Sequence, residues 1–289
     1  MKVCGFTIVR NAVKFDYPIK EAILSVLPLV DQFIVLVGNS EDNTLELIES
    51  IQDPKIQIHH STWDDSLREG GKVLAVETNK AKALIPREFD WCFYIQGDEV
   101  IHERDYPAIR ETLLKAHSNP KVEGVVFNYR HFYGSYNYIG NSRKWYKNEV
   151  RLIRNDDEIY SFRDAQGFQK KGRPLRVYAT KGFVNHYGWV KPPEIQQEKQ
   201  KSFHKMWHDD QWVEEKVGDL PEFDYSQIDS LALYKDTHPS VMKERIANQN
   251  WSFKFDIQQK NLSLKSKLLL FIEKTTGWSI VYKNYKIVK

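Results

Sequence analysis

Hydrophobic runs separated by polar segments divide the first 120 residues into alternating strands and helices. Continuous apolar runs rich in β-branched residues predict buried strands, and apolar residues at helical spacing predict helices. The predicted strands are residues 2–9, 33–37, 56–59 and 91–95, and the predicted helices begin near Pro18, at Ser40 (to Ile51), at Lys72 (to Leu84) and beyond Pro107 (to His117). This alternation is typical of βαβ units, which predicts a mostly parallel sheet flanked by helices.

The pattern changes after residue 120. Residues 123–129 predict another strand, and the segment 131–190, rich in Tyr, Gly, Arg and Trp, predicts irregular antiparallel structure that completes the sheet and forms a ligand face. Helices are predicted near 194–210, 238–250 and 264–274. We therefore expect a core over residues 1–190, with halves 1–120 and 121–190, followed by a helical, basic extension over 191–289.

Composition places the chain among globular proteins, with 41% hydrophobic and 28% charged residues in 289. The sequence shows no signal peptide and no apolar run of 18 residues, so we expect a cytoplasmic enzyme of bacterial type. Cys4 and Cys92 each lie in an apolar run and are expected to be buried, free thiols. Two such cysteines predict neither a zinc site nor a disulfide framework.

Charge is distributed unequally along the chain. Residues 1–120 carry 13 Lys and Arg against 19 Asp and Glu, whereas residues 121–289 carry 29 against 20. The basic half predicts an anionic partner. A phosphorylated small molecule or an anionic membrane needs fewer charges than a nucleic acid, and no nucleic-acid partner is expected.

The basic tail, residues 254–289, contains 8 Lys that flank the apolar run Leu268–Ile272. Two interpretations are open. The segment is either an amphipathic helix docked on the core or a basic helix in peripheral contact with an anionic membrane.

The strand at residues 91–95 ends in Gln96-Gly97-Asp98-Glu99. Ligands of open α/β sheets bind at the carboxyl ends of the strands, so these carboxylates are well placed for chemistry. Adjacent carboxylate oxygens suit a hard divalent cation such as Mg²⁺ or Mn²⁺, which can bridge to a phosphate. The alternative is a solvated acidic turn.

Two further segments carry a resemblance to family-2 glycosyltransferases of the GT-A fold, which spans roughly residues 3–190. The first strand leads into Arg10-Asn11, and the second ends in the turn 38–44, where Ser40, Asp42 and Thr44 match the family pattern. The resemblance implies a GT-A-type nucleotide-binding sheet. The residues that it places around the nucleotide are Val9, Asn11, Ser40 and Asp42. The chain departs from the family at Val37-Gly38, where an acidic residue usually contacts the nucleobase or ribose.

The resemblance also assigns a metal site. The family motif Asp-x-Asp, often followed by Glu, is represented by Gln96-Gly97-Asp98-Glu99, so Asp98 is implied as the metal ligand while Gln96 replaces the first Asp. The context Asn185–Val190 implies His186 as a second ligand, and a structural histidine is the alternative. Gln96, Gly97 and Lys72 are further candidate contacts to the nucleotide. Lys72 is equally a solvated lysine at a helix start.

The inverting mechanism that the family implies needs a general base for the acceptor hydroxyl. Asp164 is the first candidate, because it lies between the metal motif and His186 in the chain, and Glu149 is the reserve candidate. Pairing of Asp164 with Arg163 or Lys170 is the alternative. A cluster of aromatic and basic side chains is expected to form an acceptor cleft and to hold phosphates: Tyr129, His131, Tyr133, Tyr136, Trp145 and Tyr146, with Arg143, Lys144, Arg151 and Arg154.

Together these features predict a metal-dependent, hexosyltransferase-like glycosyltransferase. It would move a sugar from a nucleotide-diphosphate sugar to a glycan or lipid-linked acceptor, in bacterial surface polysaccharide synthesis. Two alternatives remain. A nucleotidyltransferase would normally show a Gly-rich basic loop after the first strand, which residues 10–14 lack. A non-catalytic sugar- or nucleotide-binding relative is suggested by Gln96.

Overall fold

Strands and helices alternate in the order that the sequence predicted for the first half of the chain. The structure is a computed structural model that describes residues 1–276 and 283–288. Its strands are β1 Val3–Val9, β2 Gln32–Val37, β3 Ile56–His60, β4 Trp91–Tyr94, β5 Glu99–Ile101, β6 Gly124–Tyr133, β7 Ser135–Gly140, β8 Asn148–Arg154, β9 Ile159–Phe162, β10 Gly167–Lys170, β11 Arg173–Trp189, β12 Leu231–Leu233 and β13 Tyr285–Ile287. Its α-helices are α1 Ile19–Val26, α2 Thr44–Glu49, α3 Lys72–Ala83, α4 Tyr106–Ser118, α5 Pro193–Lys205, α6 Asp210–Lys216, α7 Lys243–Ala247 and α8 Leu264–Thr276.

The first half forms a parallel sheet in the order β3-β2-β1-β4. Successive residues of β1 pack on opposite faces: Val3 and Val9 join the core under α1, α2 and α4, and Phe6 joins the core under α3. All seven residues of β1 are buried, because helices cover both faces. The carboxyl ends of β1, β2 and β4 consequently meet at one edge of the sheet.

The second half extends the same sheet with antiparallel strands, as predicted. β8 pairs antiparallel with β4 and with β6, and the 17-residue strand β11 lies parallel to β6. β11 also pairs with β5, β10 and β13, so it joins distant parts of the chain. The predicted α/β fold class, a nucleotide-binding type of sheet with flanking helices, is confirmed.

The extension after residue 190 contains helices and two short strands. α5 and α8 lie where helices were predicted, whereas the stretch near 238–250 contains only a 3₁₀ turn, Ser240–Met242, and the five-residue α7. β12 pairs with β7, and β13 pairs with β11. Residues 277–282 and 289 of the basic tail lie outside the described residues.

Helix α8 combines ion pairs on one side with exposed apolar side chains. Glu273 pairs with Arg143 at 2.9 Å and with Lys147. Leu264, Leu268 and Phe271 are 85%, 60% and 65% exposed, so α8 does not dock on the core through these side chains. In the described ranges, no helix has the length and apolar character needed to cross a membrane.

The two cysteines are free and buried, as predicted. They are Cα partners on β1 and β4. Burial raises the pKa of each thiol to about 12. Both therefore serve as small packing groups without thiolate chemistry at neutral pH.

A buried ion pair joins the end of the parallel half to the antiparallel half. Arg151 of β8 donates from Nε and Nη2 to the two carboxylate oxygens of Glu99 of β5, at 2.8 and 2.7 Å, and both side chains are 0% exposed. The Tyr129 hydroxyl and the backbone amide of Gln96 also donate to Glu99, at 2.8 and 3.1 Å. Both oxygens of this carboxylate thus accept hydrogen bonds from groups inside the protein.

Glu99→Ala leaves the Arg151 guanidinium buried without its counter-ion. We expect a loss of about 3–5 kcal/mol in the free energy of unfolding, measured by urea denaturation. The matched control is Glu111→Ala, which removes a solvent-exposed pair with Lys115 and should leave the free energy of unfolding nearly unchanged. Equal losses in the two variants would contradict a structural role for the buried pair.

Candidate functional site

Asp98 and His186 are brought together by the pairing of β5 with β11. His186 lies opposite Glu99 in this antiparallel pair, and the Tyr187 amide donates to the Asp98 carbonyl at 2.8 Å. His186 Nε2 consequently lies 3.6 Å from Asp98 Oδ2, and the two side chains are 12% and 13% exposed. Residues 88 positions apart therefore form one partly open site at the carboxyl end of β4.

A hydrogen-bonded chain fixes the orientation of His186. His131 Nε2 lies 2.8 Å from the Tyr146 carbonyl oxygen, which can only accept, so Nε2 carries the hydrogen. Burial, reinforced by His186, lowers the pKa of His131 to about 3, and the ring is neutral. Its Nδ1 therefore accepts from His186 Nδ1 at 3.3 Å. The other ring nitrogen of His186, Nε2, is therefore the one that faces Asp98, and a second residue fixes the ring as for a metal-ligating histidine.

Gly188 leaves open the gap between these two side chains. A Cβ on Gly188 would lie 2.5 Å from Asp98 Oδ2 and 2.8 Å from His186 Nε2. Both distances are shorter than van der Waals contact, so only glycine keeps this space clear. The sequence reasoning did not single out Gly188.

Two lysines that the sequence analysis missed border the same site. Lys199 of α5 places Nζ 3.4 Å from Asp98 Oδ2 and donates to the Gly188 carbonyl at 2.8 Å. Lys191 is fully buried and donates to the Phe15 carbonyl at 2.6 Å. Both ammonium groups lie less than 5 Å from the centre of the Tyr17 ring. Nothing in the sequence distinguishes Lys199 from its helical neighbours Lys201 and Lys205.

Asp98 is ionised in this environment. Burial alone would raise the pKa of its carboxyl, but His186 and Lys199 outweigh burial and hold the pKa well below its ordinary value. The same burial lowers the pKa of Lys199, and Asp98 opposes that shift. An ionised oxygen and a correctly oriented imidazole nitrogen therefore face the gap under Gly188.

These donors suit a divalent cation that takes its remaining ligands from a substrate. One carboxylate and one imidazole are common ligands of Mn²⁺ and similar metals, and the gap under Gly188 lies between them. Over residues 1–276 and 283–288, no three His, Cys, Asp or Glu side chains are grouped to hold a metal ion. The interpretation of Asp98 and Glu99 as paired ligands was wrong for Glu99, because Arg151 and Tyr129 hold its carboxylate.

Gln96 and Gly97 lie beside this gap. The Gln96 side chain donates from Nε2 to the Ala165 carbonyl at 3.3 Å, so it connects β4 to the turn between β9 and β10. A Cβ on Gly97 would meet only ordinary contacts with Ile19 and Tyr17, at 3.5 and 3.9 Å. Gly97 is half-buried, and its lack of a side chain leaves its outer side open to a ligand.

Hydrogen bonds join the turn after β2 to the loop after β1. The Ser40 hydroxyl accepts from the Asn11 amide at 3.0 Å, and Asn11 Oδ1 accepts from the Glu41 amide at 2.7 Å. Asp42 Oδ2 accepts from the Lys14 amide at 2.6 Å. These side chains therefore shape the edge of the sheet where a nucleotide would bind. Val9 is buried in the core, and its carbonyl accepts from the Gly38 amide at 2.8 Å.

Trp63 explains why no acidic residue stands before this turn. A Cβ on Gly38 would lie 2.5 Å from Trp63 Nε1, so a carboxylate side chain at position 38 has no room. The Trp63 ring lies 5.8 Å from the Arg10 guanidinium, which in turn pairs with Asp65 at 2.5 Å. The buried Trp63 indole and the Arg10 guanidinium therefore occupy the space beside Gly38.

Asp164 lies on the tight turn between β9 and β10. Its neighbours Arg163 and Ala165 both have positive φ, at 55° and 59°, which is uncommon for residues other than glycine. Asp164 is half-buried and packs against Gly71, where a Cβ would lie 2.9 Å from the Asp164 Cβ. Through Ala165 the same turn contacts Gln96, so Asp164 lies near the strand end that carries Asp98.

Glu149 is enclosed by the protein. It is 5% exposed, and Asn284 donates to its Oε2 at 2.9 Å. Burial raises the pKa of Glu149 to about 7, although Arg151 and the Asn284 hydrogen bond oppose the shift. The pKa suits proton transfer, but the low exposure makes Glu149 a poorer candidate base than Asp164.

The arginines that were expected to bind phosphate are instead paired with other groups of the protein. Arg151 is paired with Glu99, Arg154 donates to the carbonyls of the loop after α4, and Arg143 pairs with Glu273. Lys144 lies 3.7 Å from Asp229, and Lys72 is exposed at the start of α3.

The aromatic cluster expected to form an open acceptor cleft is largely core. Tyr129, His131, Tyr133 and Tyr136 are all less than 9% exposed. Trp145 stacks on His131 at 5.1 Å, and Tyr146 contacts it edge-on at 4.3 Å. The rings therefore support the His131–His186 chain. An open groove of about 650 Å³ lies elsewhere, between β7 and residues 249–256.

No protein-family model and no curated protein matches this sequence. Solved structures show a partial likeness. TarS from S. aureus is 14% identical, with a TM-score of 0.42, and the alignment covers 70% of this chain and 39% of TarS. TarS 1–349 in complex with UDP is also 14% identical, with a TM-score of 0.42, and the alignment covers 70% of this chain and 64% of that one. This chain therefore spans less than two thirds of either TarS chain.

A second likeness is to glucosyl-3-phosphoglycerate synthase from Mycobacterium tuberculosis, in complex with Mn²⁺, UDP and phosphoglyceric acid. It is 16% identical, with a TM-score of 0.30, over 46% of this chain and 43% of that one. At these values no activity transfers to this chain. The strand order of the chain itself, parallel β3-β2-β1-β4 continued by antiparallel β8, shows the architecture. The fold is GT-A-like, as the sequence predicted.

Glu149→Gln should change the pH dependence of stability. The pKa of Glu149 is raised in the folded state, from 4.5 to about 7, so ionisation opposes folding as the pH rises through this window. Relative to the wild type, the variant should gain about 3 kcal/mol in unfolding free energy between pH 4.5 and pH 8. Urea denaturation at several pH values measures this difference, and a constant difference would contradict the raised pKa.

Proposed function

We propose that this protein is an inverting glycosyltransferase that moves a sugar from a nucleotide-diphosphate sugar to an acceptor hydroxyl with the help of Mg²⁺ or Mn²⁺. The observation that carries the proposal is the gap under Gly188, where Asp98 Oδ2 and His186 Nε2 face each other at the end of a parallel strand. Strand ends of open α/β sheets bind nucleotides, and a two-ligand cation site leaves positions for diphosphate oxygens.

Asp98 and His186 would hold the cation, and the bound cation would act as a Lewis acid that stabilises the charge of the departing diphosphate. His131 accepts from His186 Nδ1 and so orients the ring with Nε2 toward Asp98. The turn that carries Asp42 holds the loop on which the nucleotide would rest.

Asp164 is proposed as the general base. As the acceptor oxygen forms its bond to the anomeric carbon, the bond from that carbon to the diphosphate oxygen breaks, and Asp164 takes the hydroxyl proton. Its place on the turn whose Ala165 carbonyl accepts from Gln96 supports this role, because a general base must lie close to the strand end where the donor would bind.

The acceptor is proposed to be a glycan or a lipid-linked sugar of bacterial surface polysaccharide. The groove between β7 and residues 249–256 supports a carbohydrate, since it combines Tyr138, Trp251 and Phe253 with Asn137 and Asp256. Aromatic faces cover the apolar faces of sugar rings, and polar side chains bind their hydroxyls.

Peripheral membrane contact is proposed through the exposed side of α8, defined by Leu264, Leu268 and Phe271. These side chains follow helical spacing, and Lys265 and Lys267 lie beside them, which suits an interface with anionic lipid.

The test of the function is release of nucleoside diphosphate and transfer of sugar, assayed with a panel of nucleotide-diphosphate sugars and glycan acceptors, with and without Mn²⁺. Gly188→Ala fills the gap without removing either ligand. We expect a loss of at least 100-fold in Mn²⁺-dependent turnover, in a variant that stays folded at the assay temperature although the clash lowers its melting temperature. Asp164→Asn should lower turnover while donor binding persists.

The outcomes separate the alternatives. Release of pyrophosphate from a nucleoside triphosphate would identify a nucleotidyltransferase. Binding without turnover would identify a non-catalytic relative. Full turnover in Gly188→Ala would exclude the cation site described above.

Membrane contact is tested by sedimentation with vesicles of phosphatidylglycerol or phosphatidylcholine. We expect binding to the anionic vesicles only, and loss of most of it in Leu268→Glu. Leu220→Glu, at another exposed leucine (59% exposed), is the control and should bind like the wild type. Equal binding by the wild type and Leu268→Glu would remove α8 from the interface.

A further inference from the structure

Lys199 and the gap under Gly188 use the same carboxylate oxygen. Asp98 Oδ2 lies 3.6 Å from His186 Nε2 on one side and 3.4 Å from Lys199 Nζ on the other. The Lys199 side chain is 12% exposed, and its second contact is the Gly188 carbonyl at 2.8 Å. The ammonium group therefore borders the place where a cation would bind Asp98.

The charges of this site differ from those of a site with two carboxylates. Gln96 stands where the resemblance has an acidic residue, which removes one negative charge, and Lys199 adds one positive charge. Together these two changes make the site more positive by two charge units, which is the charge of one divalent cation. In a poorly solvated site, an ammonium group so close to the ligand oxygen strongly opposes a second cation.

A diphosphate changes this balance because it brings negative charge to the same place. Its oxygens can coordinate the cation and accept charge-assisted hydrogen bonds from an ammonium group. With a diphosphate bound, Lys199 and the divalent cation no longer have to share the single charge of Asp98.

We propose that Lys199 is a resident counter-ion of Asp98 that makes divalent-cation binding conditional on a bound nucleotide diphosphate. This inference rests on the proposed glycosyltransferase function. It assigns Lys199 a contact to the diphosphate and makes cation and nucleotide binding strongly cooperative.

A purely structural role for Lys199 predicts different behaviour. Its bond to the Gly188 carbonyl connects α5 to β11, so a structural lysine would affect stability and would lower both binding reactions together. A counter-ion instead predicts opposite changes: removing the charge strengthens the binding of cation alone and weakens the binding of diphosphate.

The experiment compares the wild type with Lys199→Met, which keeps an unbranched side chain and removes the charge. Binding of Mn²⁺ alone is followed by electron paramagnetic resonance, and binding of inorganic pyrophosphate with Mn²⁺ by calorimetry. We expect Mn²⁺ alone to bind at least tenfold more tightly to the variant, and pyrophosphate at least tenfold more weakly. Lys201→Met is the matched control, because Lys201 lies on the same helix and pairs with Asp219. It should match the wild type in both titrations.

An unchanged or weaker affinity of Lys199→Met for Mn²⁺ alone, in a folded variant, would overturn the inference. If Lys199→Met does not fold, the wild type still tests the proposal, because bound pyrophosphate is expected to raise the affinity of the wild type for Mn²⁺ at least tenfold. No such coupling would overturn the proposal. Coupling by pyrophosphate without any binding of nucleotide-diphosphate sugars would instead preserve the role of Lys199 and contradict the proposed function.

Discussion

The buried ion pair between Glu99 and Arg151 is the interaction on which the site depends. It joins β5 to β8 at the point where the parallel half of the sheet ends and the antiparallel half begins. β5 also carries the register with β11 that places His186 next to Asp98. Glu99 accepts four hydrogen bonds and Arg151 also donates to the Val150 and Gln166 carbonyls, so the two desolvated charges are compensated. Glu99 is thus a structural residue, although it is adjacent to Asp98 in the chain.

Around this support the protein arranges side chains in layers. Tyr146 fixes His131, His131 fixes His186, and His186 faces Asp98 across a gap that Gly188 leaves open. Such layers determine which nitrogen of an imidazole is free to bind a ligand. Tyr129, Trp145 and Tyr146 pack on His131, whereas other rings between residues 129 and 146 belong to hydrophobic clusters with the extension after residue 190.

Local patterns predicted the fold and the place of Asp98 at a strand end, and they failed for residues whose positions depend on contacts between distant segments. Apolar runs and helical spacing are properties of a few consecutive residues, so β1, β2, β4 and α3 were predictable, and so was Asp98 at a strand end. Lys199 and Gly188 resemble many other lysines and glycines in the chain. Their roles depend on the register of β11 and on the direction of α5, neither of which is encoded in short-range periodicity. Arg151 was misassigned for the same reason, since its partner lies 52 residues away.

The long strand β11 also has a consequence for how the protein folds. Besides its tight hairpin with β10, it pairs with segments near residues 100, 125 and 286, and these contacts close long loops of chain. Loop closure costs conformational entropy before the contacts form, and folding slows as the sequence separation of native contacts grows. Asp98 and His186 come from opposite halves of the sheet, so they face each other only in a chain whose β11 has paired with β5. The geometry between these two side chains is therefore a property of the completed sheet and of no shorter segment.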